Sequence, residues 1–140
     1  METTAEEIYT LLVPLHQARL IVPRACVAEI IRYSPPQGRG ADMPGWFLGY
    51  TPWNDRRVPT VQLETLCGLP ASDPGGRTRI AIFNGLSGND ESVVFGVQTE
   101  GFPQLLRVNH SVMEPHDEQE WPDDGPIICQ IRMINEYPLI

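Results

Sequence analysis

The sequence predicts an all-β protein whose many short strands form barrel-like sheets. Apolar residues recur with a period of two, rather than 3.6, along most of the 140-residue chain. Fourteen prolines and twelve glycines interrupt these runs at short intervals, which is typical of short strands with tight connections. Helical periodicity is confined to single turns. A barrel is favoured because closure removes the exposed edges that so many short strands would leave.

Length and composition argue for one globular domain over residues 1–140. The chain is 41% hydrophobic and 20% charged, which argues against a disordered protein. Its net charge of −8 leaves no basic surface for phosphates, so we expect no nucleic-acid partner.

The acidic N-terminus is unlike a signal peptide, and no run reaches the roughly 18 apolar residues of a membrane span. We therefore expect a cytoplasmic protein without direct membrane insertion. The chain stops on apolar residues, so we expect its C-terminus to be truncated and the full protein to continue beyond Ile140.

The N-terminal elements follow from the same period. In IYTLLVPL, alternate residues from Tyr9 to Leu15 share one face of a strand. A single helical turn that begins at Pro23 is predicted in VPRACVAEII, because proline suits the first position of a helix. SPPQGRGADMP, residues 34–44, is predicted to be a long loop between two strand regions.

The later elements are predicted by similar signals. QLETLCG is expected to form one helical turn that ends at Gly68 as its C-cap. Strands are predicted in RIAIF, ESVVFGVQT and PIICQIRMI because their apolar residues alternate. NGLSGND, which follows the first of these, is predicted to be a turn. EPHDEQEWPDDGP, residues 114–126, is predicted to be an acidic loop.

The segment PGWFLGYTPWNDRRVP, residues 44–59, is predicted to be a β-hairpin. Its two-residue loop would be Asn54–Asp55, because both residue types tolerate the positive φ that such loops require. This register places Trp53 opposite Arg56 and Phe47 opposite Gln62. Pro52 lacks an N–H group, so its strand is expected to lie at a sheet edge or to carry a bulge near the tip.

The two faces of this hairpin differ in polarity. The face that carries Trp46, Leu48 and Tyr50 is apolar and is predicted to be core. The opposite face is mixed and ends at Trp53 and Arg56. Trp53 could stack on Arg56 in a cation–π contact of about 0.5–1 kcal/mol, or it could contact a partner, since Trp and Arg are frequent interface anchors. The sequence does not choose between these two interpretations.

The residue types that could perform catalysis lack a recognisable pattern. Cys26, Cys67 and Cys129 lie far apart among apolar residues and are expected to be buried thiols. The chain's three histidines have no metal-ligand spacing with these cysteines or with one another. Neither a phosphate-binding loop nor a Ser-His-Asp order is present. We therefore expect no enzyme activity, no cofactor and no metal site.

Several motifs, in their order and spacing, resemble the CheW-like coupling domain of bacterial chemosensory arrays. Val27-Ala28-Glu29-Ile30 looks like the family's V-x-E-I, which precedes a proline-rich loop. LGYTPWNDRRVPTVQLETLCG falls without a gap on the family pattern LG-x-x-N-x-R-G-x-x-x-P-x-x-D-L and its short helix. FGVQTEGFPQLLRVNHSVMEP looks like the later block that contains V-L-R-V. The resemblance extends from about Ile8 to the end of the chain.

The hairpin turn departs from the family pattern. The family's arginine falls on Asn54 and its glycine on Asp55, while its asparagine falls on Pro52 and its later aspartate on Gln62. Arg56 and Arg57 lie close enough to supply a replacement charge. On that hypothesis, Arg56→Ala or Trp53→Ala should weaken partner binding with thermal stability nearly unchanged. The altered turn makes the chain similar to divergent family members such as ChpC or PilI, which serve type IV pilus systems.

The resemblance implies both a fold and a function. The implied fold is two small five-stranded SH3-like β-barrels that share an apolar core, with short helical turns. The implied function is a non-enzymatic adaptor that couples the cytoplasmic tip of a chemoreceptor to the regulatory domain of a CheA-type histidine kinase, in chemotaxis or twitching motility. The partner-binding residues that it implies are Val27, Glu29, Gly49 and the turn residues Trp53, Asn54, Asp55, Arg56 and Arg57.

Two alternatives from other classes remain open on the sequence. One is a generic β-barrel module, unrelated to chemosensing, that binds an extended peptide at an open sheet edge. The other is a small enzyme that uses one of the three cysteines with a histidine.

Overall fold

The computed structural model describes residues 8–71, 73–84 and 94–108 in full, together with the backbone of residues 113–115, 131–133 and 138–139. Strands predominate in this part of the chain. The strands are β1 (Ile8–Pro14), β2 (Arg19–Pro23), β3 (Val27–Arg32), β4 (Phe47–Trp53), β5 (Arg56–Val61), β6 (Arg79–Asn84), β7 (Val94–Thr99), β8 (Gln104–Val108), β9 (Met113–Pro115), β10 (Ile131–Met133) and β11 (Pro138–Leu139). A 3₁₀ turn spans Arg24–Cys26, and the α-helix α1 spans Leu63–Leu66. The predicted all-β class is confirmed.

The described strands form three sheets. The largest has five strands in the order β3-β6-β7-β5-β4, and the other two have three strands each, in the orders β2-β1-β8 and β11-β10-β9. Neighbouring strands are antiparallel except β5 and β7, which run parallel. Both three-stranded sheets include strands from the C-terminal half, and β1 pairs with β8 as well as with β2. Strand β8, from the C-terminal half of the chain, therefore pairs with the N-terminal strand β1.

The five-stranded sheet curls so that its two edge strands approach each other. β3 and β4 lie at opposite ends of the strand order. Nevertheless, Trp53 Nε1 at the end of β4 donates a hydrogen bond of 3.0 Å to Glu29 Oε1 on β3. A flat sheet of five strands would hold these edges roughly 19 Å apart, at about 4.8 Å per strand. The sheet is therefore strongly curved, as expected for a barrel-like unit.

An apolar cluster fills the concave side of this sheet. Val58, Ile80, Ile82 and Val94 form its buried part, and Ile31, Tyr33 and Trp53 pack against it. Two threonines also face inward: Thr51 Oγ1 lies 2.7 Å from Thr60 Oγ1, which in turn donates to the Val58 carbonyl at 3.1 Å. Because both hydroxyls have partners, the interior tolerates them.

A second cluster joins the five-stranded sheet to β1 and β2. Its buried members are Val13, Leu15, Leu63, Ala81, Phe83 and Val97. These residues come from both sheets and from α1, so the packing of each sheet depends on the other. The predicted N-terminal strand is confirmed, although β1 ends at Pro14 and Leu15 is buried just beyond it.

In the hairpin formed by β4 and β5, the prediction of which face is core is wrong. Phe47, Thr51 and Val58 are buried, whereas the face of Trp46, Leu48 and Tyr50, predicted to be core, is only half-buried. The register from Gly49 to Trp53 is as predicted, but a β-bulge between Phe47 and Gly49 pairs Phe47 with Val61 instead of Gln62.

The segment 34–46, which we call the strap, runs beside the free edge of β4. Gln37 exchanges two backbone hydrogen bonds with Tyr50, of 2.9 and 2.7 Å. The Arg39 side chain donates to the carbonyls of Phe47, Met43 and Pro44 at 2.8, 3.0 and 3.1 Å, which ties the strap to the start of β4. The strap therefore pairs with the free edge of β4, and its Gly38 lies next to the outward-facing Tyr50 ring.

Gly49 is required where the strap crosses β4. Its φ of +125° is a conformation that side chains disfavour. A Cβ at this position would lie 2.8 Å from the Gln37 carbonyl oxygen and 3.0 Å from its nitrogen. The close approach of two backbones therefore excludes a larger residue.

Other local predictions are confirmed where the structure describes them. The 3₁₀ turn follows Pro23, and α1 ends in a Schellman motif in which Gly68 has a φ of +76° and Leu69 N donates to Glu64 O at 2.7 Å. RIAIF and the second half of ESVVFGVQT are strands β6 and β7. The turn predicted after Asn84 and most of residues 114–130 lie outside the described residues, but Glu114 and Pro115 belong to β9 and not to a loop.

Candidate partner-binding surface

The tip of the β4–β5 hairpin has the predicted two-residue turn. Asn54 and Asp55 have φ of 49° and 60°, so both adopt the left-handed conformation of a type I′ turn. Trp53 pairs directly with Arg56 across the turn, as predicted. Asn54, Asp55 and Arg56 are exposed, and together they form a projecting tip.

Trp53 does not stack on Arg56. Its ring packs against the apolar cluster of the five-stranded sheet, and its indole N–H donates to Glu29. The residue is half-buried, so part of its surface still faces solvent at the rim. This packing changes the expectation for Trp53→Ala: removing the ring opens the cluster, so the free energy of unfolding should fall.

The cation–π contact of the hairpin involves Arg57 instead. The guanidinium carbon of Arg57 lies 4.4 Å from the centroid of the Tyr50 ring. Gly38 of the strap lies next to the guanidinium, since a Cβ there would be 2.7 Å from Arg57 Nη2. Arg57 is nonetheless exposed, so its charge is accessible from solvent.

The remaining residues implied by the resemblance lie in two environments. Glu29 is exposed on β3, beside Trp53, so the structure brings these two residues together from 24 positions apart in the chain. Val27 is half-buried and packs against the cluster that joins the two sheets. Gly49 is buried beneath the strap and can shape a surface only through the backbone.

Sequence reasoning missed the partners of Arg57. Tyr50 was assigned to the core, and Gly38 was treated as part of a long loop. Gly38 has a φ of +80°, which a glycine within SPPQGRGADMP could have indicated, but nothing in the sequence places it against Arg57.

A polar cleft of about 520 Å³ lies at another end of the molecule. It is bounded by the turn after β1, the loop before β6 and the turn after β7. Within it, His16 Nδ1 lies 3.2 Å from Glu100 Oε1, and the His16 backbone N–H donates to the buried Glu64 at 3.0 Å. None of the residues implied by the resemblance lines this cleft.

Of the two described cysteines, both lie against apolar residues, and Cys67 in particular lacks the features of a catalytic thiol. Cys26 and Cys67 are free and half-buried, and both pack against the cluster that joins the sheets. Burial raises the pKa of the Cys67 thiol, and the nearby Glu64 carboxylate raises it further. A raised pKa leaves less thiolate at neutral pH, which is the opposite of what a nucleophile needs. Cys129, His110 and His116 lie outside the described residues.

Neither a metal-ligand cluster nor a membrane-spanning helix is seen in the described part of the chain. Within them, no group of three or more His, Cys, Asp or Glu side chains is arranged to hold a metal ion. None of the helices in this part of the chain has the length and apolar character needed to cross a membrane.

Comparison with protein families identifies the class of this fold. The model of the CheW-like domain matches residues 10–128, which is most of the chain. The chain therefore belongs to the CheW-like domain family. No curated protein sequence matches it.

A solved structure supports the same fold. The crystal structure of the scaffolding protein TtCheW from Thermoanaerobacter tengcongensis superposes with a TM-score of 0.77. The match covers 96% of this chain and 88% of that one, at 12% sequence identity. The similarity at this identity concerns the fold, and it confirms the all-β, CheW-like architecture expected from the sequence.

Membership of the family also determines the broad class of function. The CheW family consists of non-enzymatic scaffolds and adaptors of chemotaxis signal transduction. The expectation that the chain is not an enzyme is therefore confirmed at the level of the family.

Proposed function

We propose that this protein is an adaptor that couples chemoreceptors, the methyl-accepting chemotaxis proteins, to a CheA-type histidine kinase. The observation that carries the proposal is the match of the CheW-like domain over residues 10–128. An adaptor of this kind would act on the cytoplasmic side of the membrane, where it would contact the receptor tip and the kinase regulatory domain.

The hairpin tip and the neighbouring part of β3 supply one candidate contact surface. Asn54, Asp55 and Arg56 project from the end of the sheet, and the Trp53–Glu29 hydrogen bond holds the base of the tip to β3. A rigid base limits the conformational entropy that the surface loses on binding. Trp and Arg side chains are also those that most often anchor protein interfaces.

The proposed mechanism requires no chemistry by the adaptor. Two partners bound to different surfaces of one rigid domain are held at a defined distance and orientation. A change in the receptor would then reach the kinase as a change in the relative placement of the two proteins. Such a role needs a well-packed scaffold, and the shared apolar cluster between the sheets provides one.

Calorimetric titration tests the proposal directly. The protein should bind a purified kinase regulatory domain and a soluble receptor-tip fragment, singly and together, and a ternary complex should form. Arg56→Ala should weaken binding of whichever partner uses the tip. If the protein binds neither fragment but binds extended peptides in a library screen, it would be a generic peptide-binding module instead.

A role in type IV pilus signalling is a further part of the proposal. The departures at Pro52, Asn54 and Asp55 give the chain the altered turn of divergent, ChpC- or PilI-like members. Deletion of the gene in its source bacterium should reduce twitching across a surface and leave flagellar swimming unchanged. Loss of swimming with normal twitching would assign the protein to a flagellar pathway.

A further inference from the structure

We propose that Arg57 is a preorganised guanidinium that binds a carboxylate group of the partner protein, with Tyr50 as its platform. The identity of that partner as the kinase rests on the proposed function. The chemistry of the contact rests on the geometry around Arg57 alone.

The platform holds the guanidinium plane in place. Arg57 lies over the Tyr50 ring, with its central carbon 4.4 Å from the ring centroid. Tyr50 is itself fixed: its backbone makes both hydrogen bonds to Gln37, and its ring forms an edge contact with Phe47 at a centroid distance of 5.4 Å. Because the ring is immobilised by the sheet and the strap, a side chain stacked on it loses much of its rotational freedom before a partner binds.

Gly38 makes room for this arrangement. A Cβ built at Gly38 would lie 2.7 Å from Arg57 Nη2 and 3.5 Å from the Tyr50 ring. Any larger residue would therefore displace the guanidinium, whereas its distance to the ring would be an ordinary van der Waals contact. The positive φ of Gly38, +80°, further restricts this position to glycine.

The charge of Arg57 has no ion-pair partner in the part of the chain that the structure describes. Within the fully described residues, no carboxylate lies at ion-pairing distance from its guanidinium. Of the two acidic residues implied by the resemblance, Glu29 accepts a hydrogen bond from Trp53, and Asp55 lies in the turn without an ion pair to Arg57. Arg57 is also exposed, and Pro52 and Pro59 flank it on the same face of the hairpin. These neighbours offer no competing carboxylate.

These features fit a carboxylate better than other groups. A guanidinium presents its N–H donors in a planar fork that matches a carboxylate in a bidentate geometry. Prior ordering of the fork reduces the entropy lost on binding. Arg56 offers a contrast within the same hairpin, since it is exposed at the tip without an aromatic platform among the described residues.

A test without any partner uses NMR of the arginine Nε–Hε groups in the free protein. The Arg57 group should show a higher order parameter than the Arg56 group. A hexaglutamate peptide should then perturb the Arg57 signal at lower concentration than the Arg56 signal, whereas hexaglutamine should perturb neither. Equal mobility of the two side chains, or equal responses to hexaglutamate, would overturn the proposal.

A second test uses the kinase regulatory domain and three variants. Arg57→Ala should weaken binding about 10- to 100-fold, as expected for loss of a charged hydrogen-bonded pair. Arg57→Lys keeps the charge but loses the planar fork, so it should recover only part of this affinity. Arg32→Ala, at an exposed arginine of β3 that the resemblance does not implicate, is the control and should bind like the wild type.

The two tests separate this inference from the proposed function. If the wild-type protein does not bind the kinase domain but hexaglutamate still selects Arg57, the proposed partner is wrong and the carboxylate site stands. If the kinase domain binds and both Arg57 variants bind as tightly as the wild type, the adaptor role stands and this inference fails.

Discussion

Trp53 combines a structural role and a surface role in one side chain. Most of the ring covers the end of an apolar cluster, and the indole N–H makes a hydrogen bond of 3.0 Å to Glu29. Arg56, directly opposite in the register, has no comparable contact within the described residues. The sequence predicts that the two residues face each other and leaves open whether they stack, but their contributions to stability should differ.

Trp53→Ala should lower the free energy of unfolding by about 2–4 kcal/mol, because it leaves a cavity at the rim of the cluster and removes the donor to Glu29. Arg56→Ala should change it by less than about 0.5 kcal/mol, since the side chain is exposed. Urea denaturation followed by circular dichroism measures both values. Equal destabilisation by the two substitutions would contradict the packing described for Trp53.

The strap and β4 form one structural element, although the sequence separates them into a loop and a strand. The outer edge of β4 is protected in three ways: Gln37 pairs with Tyr50, a bulge precedes Gly49, and Pro52 has no N–H to offer. Each of these devices discourages pairing with another strand. Another strand therefore cannot pair with β4 at Tyr50, although the hairpin carries aromatic residues on its outer face.

Gly49→Ala should lower the free energy of unfolding by about 2–4 kcal/mol, because it adds backbone strain and a clash with Gln37. Gly45→Ala, in the strap itself, is the matched control: a Cβ there meets nothing within 4 Å, so its effect should stay within about 0.5 kcal/mol. Thermal unfolding of the two variants makes the comparison. A Gly49 variant as stable as the Gly45 variant would show that the strap does not lie against β4.

The elements also show which features the sequence could predict. The turn at Asn54–Asp55 and the Gly68 helix end were predictable because each depends on the φ preference of one or two residues. The faces of the hairpin were not, because their burial depends on contacts with distant strands, such as those of Val58 with Ile80 and Ile82. Likewise, the resemblance indicated both Glu29 and Trp53, but only the curvature of the sheet brings them into contact.

At the scale of the whole molecule, the cluster around Val13 connects the sheets. Val13 is fully buried, and its cluster contains residues of β1, α1, β6 and β7. Removal of apolar volume at this position should therefore weaken both sheets together. We therefore propose that the sheets joined by this cluster unfold together.

Val13→Ala should lower the free energy of unfolding by about 2–3 kcal/mol, from lost burial and a residual cavity. Tryptophan fluorescence and far-ultraviolet circular dichroism should still report one coincident transition in urea, shifted to lower concentration. Leu105→Ala, at an exposed position of 51% accessibility, should shift the transition much less. Separate fluorescence and dichroism midpoints in the Val13 variant would indicate two independent units.

The pairing of β1 with β8 has a consequence for folding during synthesis. As the chain leaves the ribosome, β1 can form its hairpin with β2 at once, but its second edge stays open until residues 104–108 emerge. β5 likewise waits for its parallel neighbour β7. Such long-range pairings delay folding, because chain entropy must be lost before the contacts form. A nascent chain that has not yet reached Val94 therefore leaves one edge of β1 and one edge of β5 unpaired, which exposes it to aggregation at this stage.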